Sequence, residues 1–211
     1  MNRDTKIAIG VAGGIITTAA LVYVFRKQIN NIFSGHKCSN SFLFIGDSNT
    51  AGSNSYADKF ISRCKNPKNK KIAKSGATTD WMLPKLFTEL NENQYDVVTI
   101  LAGSNDIFAR LSVDKAKKNM DKMLSAAKKS GAKIVVITPP YKGHYPRTTQ
   151  THLRLIQEWN NYLKNHKTPF KFIDFSQIVR DKSLFLSDNQ HVNSQGHQIL
   201  TQAYLKALKI S

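Results

Sequence analysis

The sequence has few cysteines, few acidic residues and no internal repeat, and each shortage excludes a class of protein. Two cysteines among 211 residues, Cys38 and Cys64, exclude a disulfide-rich scaffold but leave open a single bond between them. The 11 glycines and 6 prolines follow no period, which excludes collagen-like and solenoid architectures. No Cys/His spacing suggests a metal site, and no GxxxxGK(S/T) or GxGxxG phosphate loop is present. A hydrophobic content of 41% is nevertheless too high for a disordered chain, so we predict one folded domain, alone or with a tail.

The shortage of acidic residues makes the chain strongly basic. Only 14 Asp and Glu stand against 31 Lys and Arg, which gives a formal net charge of +17. Such a charge predicts attraction to nucleic acid, phospholipid headgroups or acidic cell-wall polymer. The one basic cluster, residues 66–74, has no interleaved aromatic residues to stack on bases, so we do not expect specific nucleic-acid binding. Contact with an anionic polymer and a merely well-solvated surface remain as alternatives.

Residues 7–25 contain no charged residue and have basic residues on both sides. As a helix rising about 1.5 Å per residue, this segment would span about 28 Å, close to the hydrocarbon thickness of a bilayer. We predict a transmembrane helix here, after a tail at 1–6 and before a juxtamembrane linker at 26–40. A cleaved signal peptide is the alternative, but the apolar stretch is long and basic residues follow it at once. The small residues Ala19 and Ala20 also precede Leu-Val-Tyr-Val-Phe and not a polar cleavage site.

From residue 41 to residue 211, short apolar runs alternate with helical patterns, as in an α/β domain. The candidate strands are 42–45, 71–74, 96–101, 133–138 and 170–174. The third and fourth of them are continuously apolar, which is typical of strands buried on both faces of a parallel sheet. Helical spacing of apolar residues occurs over 113–127, 153–163 and 199–208. Asn193 and Gly131 are placed to cap helix ends, and the alternation predicts a three-layer α/β/α sandwich with a mostly parallel sheet.

Sheets of this kind bind their ligands beyond the carboxyl ends of the strands. The loops that should meet at this edge are 46–49, 75–77, 103–106 and 139–147. We therefore expect the functional site among these four loops.

Ser48 directly follows the first predicted strand, so its hydroxyl should be offered at that edge. A serine hydroxyl is a poor nucleophile until a neighbouring base takes its proton. His191 can serve as this base, and Asp188, three residues earlier, can reach the imidazole and stabilise the imidazolium. Neither feature is specific alone, because Gly-Asp-Ser turns and surface histidines are common.

A third feature concerns the oxyanion that acyl transfer develops. Asn105 follows the most apolar strand and can offer its side-chain amide at the same edge. Gly76, after the second strand, can bring a backbone N–H close, and the N–H of Ser48 would be the third donor. Preorganised donors of this kind are worth roughly 3 to 4 kcal/mol each to an acyl-transfer transition state.

Together these segments resemble a known family, the SGNH (GDSL-type) hydrolases. The resemblance covers residues 41 to about 208 and rests on blocks I, II, III and V of that family, which are similar to Gly46-Asp-Ser48, Gly76, Gly103-Ser-Asn105-Asp106 and Asp188-Asn-Gln-His191. It implies a flavodoxin-like α/β/α fold and hydrolysis of acyl esters without metal or cofactor. It further implies a nucleophile at Ser48, a base at His191, an orienting acid at Asp188 and an oxyanion hole of Ser48, Gly76 and Asn105.

Two details near these blocks refine the resemblance. Asn49 stands where many members have Leu, which leaves the subfamily open. His191-Val-Asn193 with Gly196 is similar to the usual continuation of block V, and this favours His191 over His197 as the base.

We expect a membrane-anchored serine esterase that removes a small acyl group, with acetyl favoured, from a sugar or cell-envelope polymer. The sequence has no long apolar lid segment of the kind that would favour bulky acyl chains, so small acyl groups are preferred. The alternatives are a lipid or lysophospholipid esterase of the same family, and a catalytically silent anchored domain that binds an anionic polymer or organises a membrane assembly. A metal-dependent nuclease is disfavoured, because Asp47 and Asp106 are its only obvious pair of ligands. The basic residues on the two sides of 7–25 nearly balance, so they do not determine the orientation of this segment in the membrane. We expect an extracytoplasmic catalytic domain by analogy with anchored envelope hydrolases.

Overall fold

The computed structural model describes residues 38–110 and 112–210. The predicted tail at 1–6, the predicted transmembrane helix at 7–25 and most of the linker at 26–40 lie outside the described residues. Within the described part of the chain, no helix combines the length and the apolar character that a membrane span needs.

The centre of the fold is a sheet of five parallel strands in the order β2-β1-β3-β4-β5. The strands are β1 (Phe42–Gly46), β2 (Lys70–Ala73), β3 (Val97–Leu101), β4 (Lys133–Ile137) and β5 (Lys171–Ile173). Each lies within two residues of a segment predicted from the sequence. Every residue of β1 and β3 is buried, whereas the edge strand β2 is half-exposed. Continuous apolarity therefore identified the interior of a parallel sheet correctly.

Helices connect the strands and cover both faces of the sheet. They are α1 (Ser48–Ala51), α2 (Tyr56–Arg63), α3 (Thr79–Glu92), α4 (Ser104–Arg110), α5 (Asp114–Lys129), α6 (Gln150–Lys164), α7 (Phe175–Ile178) and α8 (Ser194–Leu208), with a 3₁₀ turn at Lys182–Leu184. On one face α3, α5 and α6 pack against alternate strand residues, such as Ile45 and Val98. On the other face, rings of α2 and α8 pack against Phe42 and Phe44. The predicted three-layer sandwich is thus confirmed.

Two helix ends are capped at the residues that the sequence predicts. The Asn193 side chain accepts hydrogen bonds from the N–H groups of Gln195 (3.0 Å) and Gly196 (3.1 Å) and so begins α8 as predicted. After α5, the residue beyond the C-cap Ser130 is Gly131, with a left-handed φ of +80°. A β-carbon disfavours that conformation, so glycine ends the helix here.

Cys38 and Cys64 form a disulfide, which settles the pairing that the sequence left open. It joins the start of the described chain to the end of α2 across 26 residues. The Asn66 side chain also donates to backbone carbonyls of this starting segment, including that of Asn40 at 3.0 Å. The entry into β1 is therefore fixed by a covalent bond and by hydrogen bonds.

Candidate active site

The turn after β1 presents Ser48 at the carboxyl edge of the sheet. Asp47 is the N-cap of α1, and its carboxylate accepts from the N–H of Asn49 at 2.9 Å. Gly46 is required by close packing, because a β-carbon there would collide with the Thr50 side chain and crowd the Leu101 carbonyl. Ser48 is half-buried and begins the short helix, so its position is set by the turn and not by its own contacts.

A second turn, residues 186–191 before α8, brings a histidine and a carboxylate to Ser48. His191 Nε2 lies 3.0 Å from Ser48 Oγ, although the two residues are 143 positions apart. Its other nitrogen, Nδ1, lies 2.6 Å from Asp188 Oδ2. The second oxygen of Asp188 accepts from the N–H groups of Gln190 and His191, each at 2.9 Å. The three residues that the sequence selected thus form one continuous chain of hydrogen bonds.

The charge state of Asp188 follows from these contacts. Partial burial raises the pKa of its carboxyl, but hydrogen bonds from the backbone and ring of His191 and from Gln190 more than offset this, and the pKa is lowered to about 2. Asp188 is therefore ionised at neutral pH. An ionised carboxylate facing Nδ1 keeps the proton on that nitrogen, so by this assignment the lone pair of Nε2 faces the Ser48 hydroxyl.

Gly76 lies in the loop after β2, and Asn105 lies in the first turn of α4, just after β3; these two strands flank β1. The register aligns the end of β1, Gly46, with Ala73 of β2 and Leu101 of β3, so the three loops start at one level of the edge. The Asn105 amide nitrogen donates to the Ala77 carbonyl at 2.9 Å, which ties it to the loop that carries Gly76. Gly76 has a left-handed φ of +73°. One amide proton of Asn105 is engaged in that bond, and an amide nitrogen has a second to donate.

Buried contacts hold the start of α4, which carries Asn105, in place. Gly103 has a φ of +104°, and the Trp159 ring occupies the space that a side chain there would need. The indole N–H of Trp159 donates to the Ala102 carbonyl at 2.9 Å. The buried Asp106 accepts from the hydroxyl of Thr79 at 2.6 Å and from its N–H. Asp106 therefore links α4 to α3, and Asp47 caps α1, so both carboxylates have structural roles at the edge.

A cavity of about 560 Å³ opens beside Ser48 and His191. Besides Ser48, six of its thirteen lining residues carry small hydroxyl or amide side chains, namely Asn49, Ser53, Asn54, Ser75, Asn193 and Ser194, whereas Ala51, Leu186 and Val192 contribute apolar surface. Its volume is within the range of about 300 to 1,000 Å³ usual for small-molecule sites. The lining thus offers both hydrogen-bonding groups and apolar surface beside Ser48.

His197 lines the same cavity but is only 7% exposed and does not contact Ser48. Burial, with a smaller effect of Lys59, lowers its pKa to about 4, so the ring is neutral at pH 7. Of the two histidines considered as a base, only His191 has the required geometry.

Because of His197, we expect stability to fall on acidification. The unfolded chain takes up a proton on this ring near pH 6.5, whereas the folded protein does so only near pH 4, so stability is lost as the pH falls through that interval. His197→Gln should remove roughly 2 to 3 kcal/mol of the loss between about pH 7.5 and about pH 4.5. Urea unfolding of both proteins at the two pH values measures this difference. An equal pH dependence in wild type and variant would contradict the assignment.

Comparison with known proteins agrees with this architecture. The sequence matches the model of the GDSL-like lipase/acylhydrolase family over residues 44–199. A catalytic mutant of an acetylxylan esterase from Geobacillus stearothermophilus has a similar structure, with 17% identity, a TM-score of 0.67 and coverage of 83% of this chain and 97% of that chain. An α/β hydrolase enzyme from the metagenome of Lake Arreo, Spain, gives 15% identity, the same TM-score and the same coverages. A GDSL-like lipase from Bacteroides thetaiotaomicron has 17% identity and a TM-score of 0.64, with coverage of 88% of this chain and 97% of that chain. No curated protein matches the chain, and at these identities the solved structures establish the fold alone.

Proposed function

The chain belongs to the GDSL-like lipase/acylhydrolase family and is a carboxylic-ester hydrolase, and we propose that it works through an acyl-enzyme on Ser48. One observation carries the proposal: the 3.0 Å contact of Ser48 Oγ with His191 Nε2, continued at 2.6 Å to Asp188. A nucleophile, a base and a group that orients the base are the parts that this chemistry needs.

The steps follow from the positions of the protons. His191 Nε2 takes the proton of Ser48 as Oγ attacks the ester carbonyl carbon, and Asp188 stabilises the imidazolium that forms. The imidazolium then protonates the departing alkoxide oxygen, and the acyl group remains on Oγ. Water attacks this second ester and loses a proton to His191; the imidazolium then returns that proton to Ser48 Oγ as the bond between Oγ and the acyl carbon breaks, which releases the acid and free Ser48. Asp188 stays ionised throughout, as its low pKa requires.

The oxyanion of both tetrahedral intermediates would be held by the N–H groups of Ser48 and Gly76 and by the Asn105 amide. Asn105→Ala should lower kcat by about 10²- to 10³-fold, because one preorganised donor is lost. Steady-state hydrolysis of p-nitrophenyl acetate measures the change. Asn165→Ala is the control, since the Asn165 amide donates only to the Asn161 carbonyl at the end of α6. We expect this control to leave kcat near wild type; equal losses in both variants would argue against Asn105 as a donor.

The proposed substrate is a small acyl ester, with acetyl favoured, on a sugar or a cell-envelope polymer. The hydroxyl and amide side chains in the lining of the cavity support a hydroxyl-rich alcohol portion. One structure of similar fold is described as an acetylxylan esterase, which is consistent with this class. A lipid ester remains the competing substrate, because Leu186 at the cavity is 49% exposed and could contact an acyl chain.

Hydrolysis of p-nitrophenyl acetate, butyrate and octanoate by the full chain in detergent tests both parts of the proposal. EDTA is present throughout, and a fluorophosphonate probe is mapped by peptide mass spectrometry. We expect chelator-resistant hydrolysis that is fastest with acetate, and the label on Ser48. Fastest hydrolysis of octanoate would favour the lipid esterase. Absence of both hydrolysis and label would favour the catalytically silent domain that binds an anionic partner.

We further propose that residues 7–25 anchor the protein and that the catalytic domain is extracytoplasmic. The uncharged length of this segment supports an anchor. The Cys38–Cys64 disulfide supports the oxidising side of a membrane, where such bonds form and persist. The protein should stay in the membrane pellet after a high-salt wash and be released by detergent. In intact cells, protease added outside should digest the domain; resistance to it would contradict the orientation.

A further inference from the structure

Lys142, in the loop between β4 and α6, is the one lysine of residues 38–110 and 112–210 that is buried, with 2% of its surface exposed. A lysine in a polar loop is usually solvated, so the sequence gives no sign of this burial. Its ammonium donates to the Gln190 carbonyl at 3.2 Å. Gln190 lies in the same turn as Asp188 and His191, so Lys142 is bound to the segment that carries the base.

The charge of Lys142 also acts on the nucleophile turn. Burial lowers the pKa of Lys142, and the nearby carboxylates of Asp47 and Asp188 act in the opposite direction. Burial raises the pKa of Asp47, and the largest opposing effect is that of Lys142. Lys142 thus interacts electrostatically with one carboxylate from each of the two turns that meet at the Ser48–His191 contact.

Burial of an ammonium is costly, and an apolar side chain of similar volume would fill the same space at lower cost. Packing alone therefore does not account for a lysine here. The neighbours that do account for it are the Gln190 carbonyl and the two carboxylates, all of which favour a cation. Lys142 also lines a cavity of about 360 Å³, together with Asp174 and Arg180.

We propose that Lys142 is a positioning residue that holds the turn of Asp188 and His191 against the turn of Asp47 and Ser48 and balances the two carboxylates. The proposal rests on the function proposed above. Lys142 touches neither Ser48 nor His191, so it acts through the turn and through the local charge.

Two effects should follow when the cation is removed. The turn loses its bond at Gln190, and a small displacement of His191 from Ser48 costs up to about 100-fold in rate. In addition, Asp47 and Asp188 lose their counter-charge, so the imidazolium form of His191 becomes easier to make. The groups that face His191 are Asp188, Ser48, His197 and the more distant Asp47. Of these groups, the carboxylates favour the imidazolium form of His191. The acidic limb of the pH–rate profile should therefore move to higher pH.

The test compares Lys142→Met, which keeps the stem and volume, with Lys142→Arg, which keeps the charge. Lys70→Met is the matched control, because it removes the 2.6 Å ion pair with Glu89 at the opposite end of the sheet. For Lys142→Met we expect kcat on p-nitrophenyl acetate to fall about 10- to 100-fold at nearly constant KM. The acidic limb of the pH–rate profile should move to higher pH, and Lys142→Arg should recover much of the rate. Lys70→Met should keep the wild-type kcat and profile.

A double mutant tests the charge balance directly. Asn can still cap α1 at position 47, so Asp47→Asn should raise kcat of the Lys142→Met protein by about threefold or more, although it does not raise that of wild type. Melting temperatures of all variants identify any that fail to fold. The proposal is overturned if Lys142→Met keeps the wild-type rate and profile, or if kcat falls with no shift of the acidic limb and no recovery in Lys142→Arg.

A readout independent of turnover separates this proposal from the proposed function. The His191 ring can be titrated by NMR in histidine-labelled protein, and its titration should move to higher pH in Lys142→Met but not in Lys70→Met. Absence of Ser48-dependent hydrolysis in wild type would overturn the proposed function. In that case an unchanged His191 titration would overturn the role of Lys142 as well, whereas a shifted one would still support it.

Discussion

Ser48→Ala should lower kcat/KM for p-nitrophenyl acetate by on the order of 10⁴-fold or more, the largest effect that we expect of any single substitution. The variant has no oxygen to attack the carbonyl, and His191 then has nothing to activate except water. The fluorophosphonate label should disappear as well, because the probe reacts with the same oxygen.

Ser48→Ala should leave the fold and its stability unchanged. Ser48 is half-buried, and its hydroxyl contacts His191 at the mouth of a cavity, so the substitution leaves no void in the core. We expect the melting temperature to stay within about 2 °C of wild type. Ser62→Ala is the control, since the Ser62 hydroxyl donates only locally to the Lys59 carbonyl on α2. Residual activity near wild type in Ser48→Ala would reject the acyl-enzyme mechanism.

Asp188→Asn should have the second largest effect, a loss of about 10³- to 10⁴-fold in kcat. An asparagine oxygen can still accept the N–H groups of Gln190 and His191, so the turn is retained. If the amide nitrogen then faces His191 Nδ1, it donates to that atom and drives the ring proton to Nε2. In that tautomer His191 cannot take a proton from Ser48, and the imidazolium loses its counter-charge. The measurement is kcat for p-nitrophenyl acetate at several pH values.

Asp181→Asn provides the matched control for this experiment. The Asp181 carboxylate caps the 3₁₀ turn through the N–H of Ser183 at 2.9 Å, in the same segment of chain but away from the His191 ring. We expect its kcat to match wild type. If Asp188→Asn also kept the wild-type rate, the carboxylate would have no part in orienting the base.

Much of the fold could be predicted because its signals are local. The apolar runs of β3 and β4 are long enough to indicate buried parallel strands, and Asn193 specifies the start of α8 from its own side chain. Helices α2 and α3 were not assigned, since α2 is short and α3 contains Pro84, which usually disfavours a helix interior. Tertiary packing of Met82 and Leu86 against the core stabilises α3 despite the proline.

The candidate site also has one contact that is local in the sequence and one that depends on the tertiary fold. The spacing of three residues between Asp188 and His191 is a property of one turn, so the chain itself brings these two together. The contact of His191 with Ser48 spans 143 residues and depends on the strand order β2-β1-β3-β4-β5, which no local pattern encodes. The resemblance to a family predicted the residues of this contact, but only the fold supplies its distance.

The sequence by itself thus determined the fold class and the residues that carry the proposed chemistry, because strand apolarity, glycine turns and the Asp-His spacing depend on neighbours along the chain. Only the tertiary structure decided which groups are removed from water. The burial of Lys142 and His197 depends on packing against the turns that carry Ser48 and His191, and burial changes the charge states of such groups. Desolvation depends on the surroundings in three dimensions, and a linear sequence does not contain them.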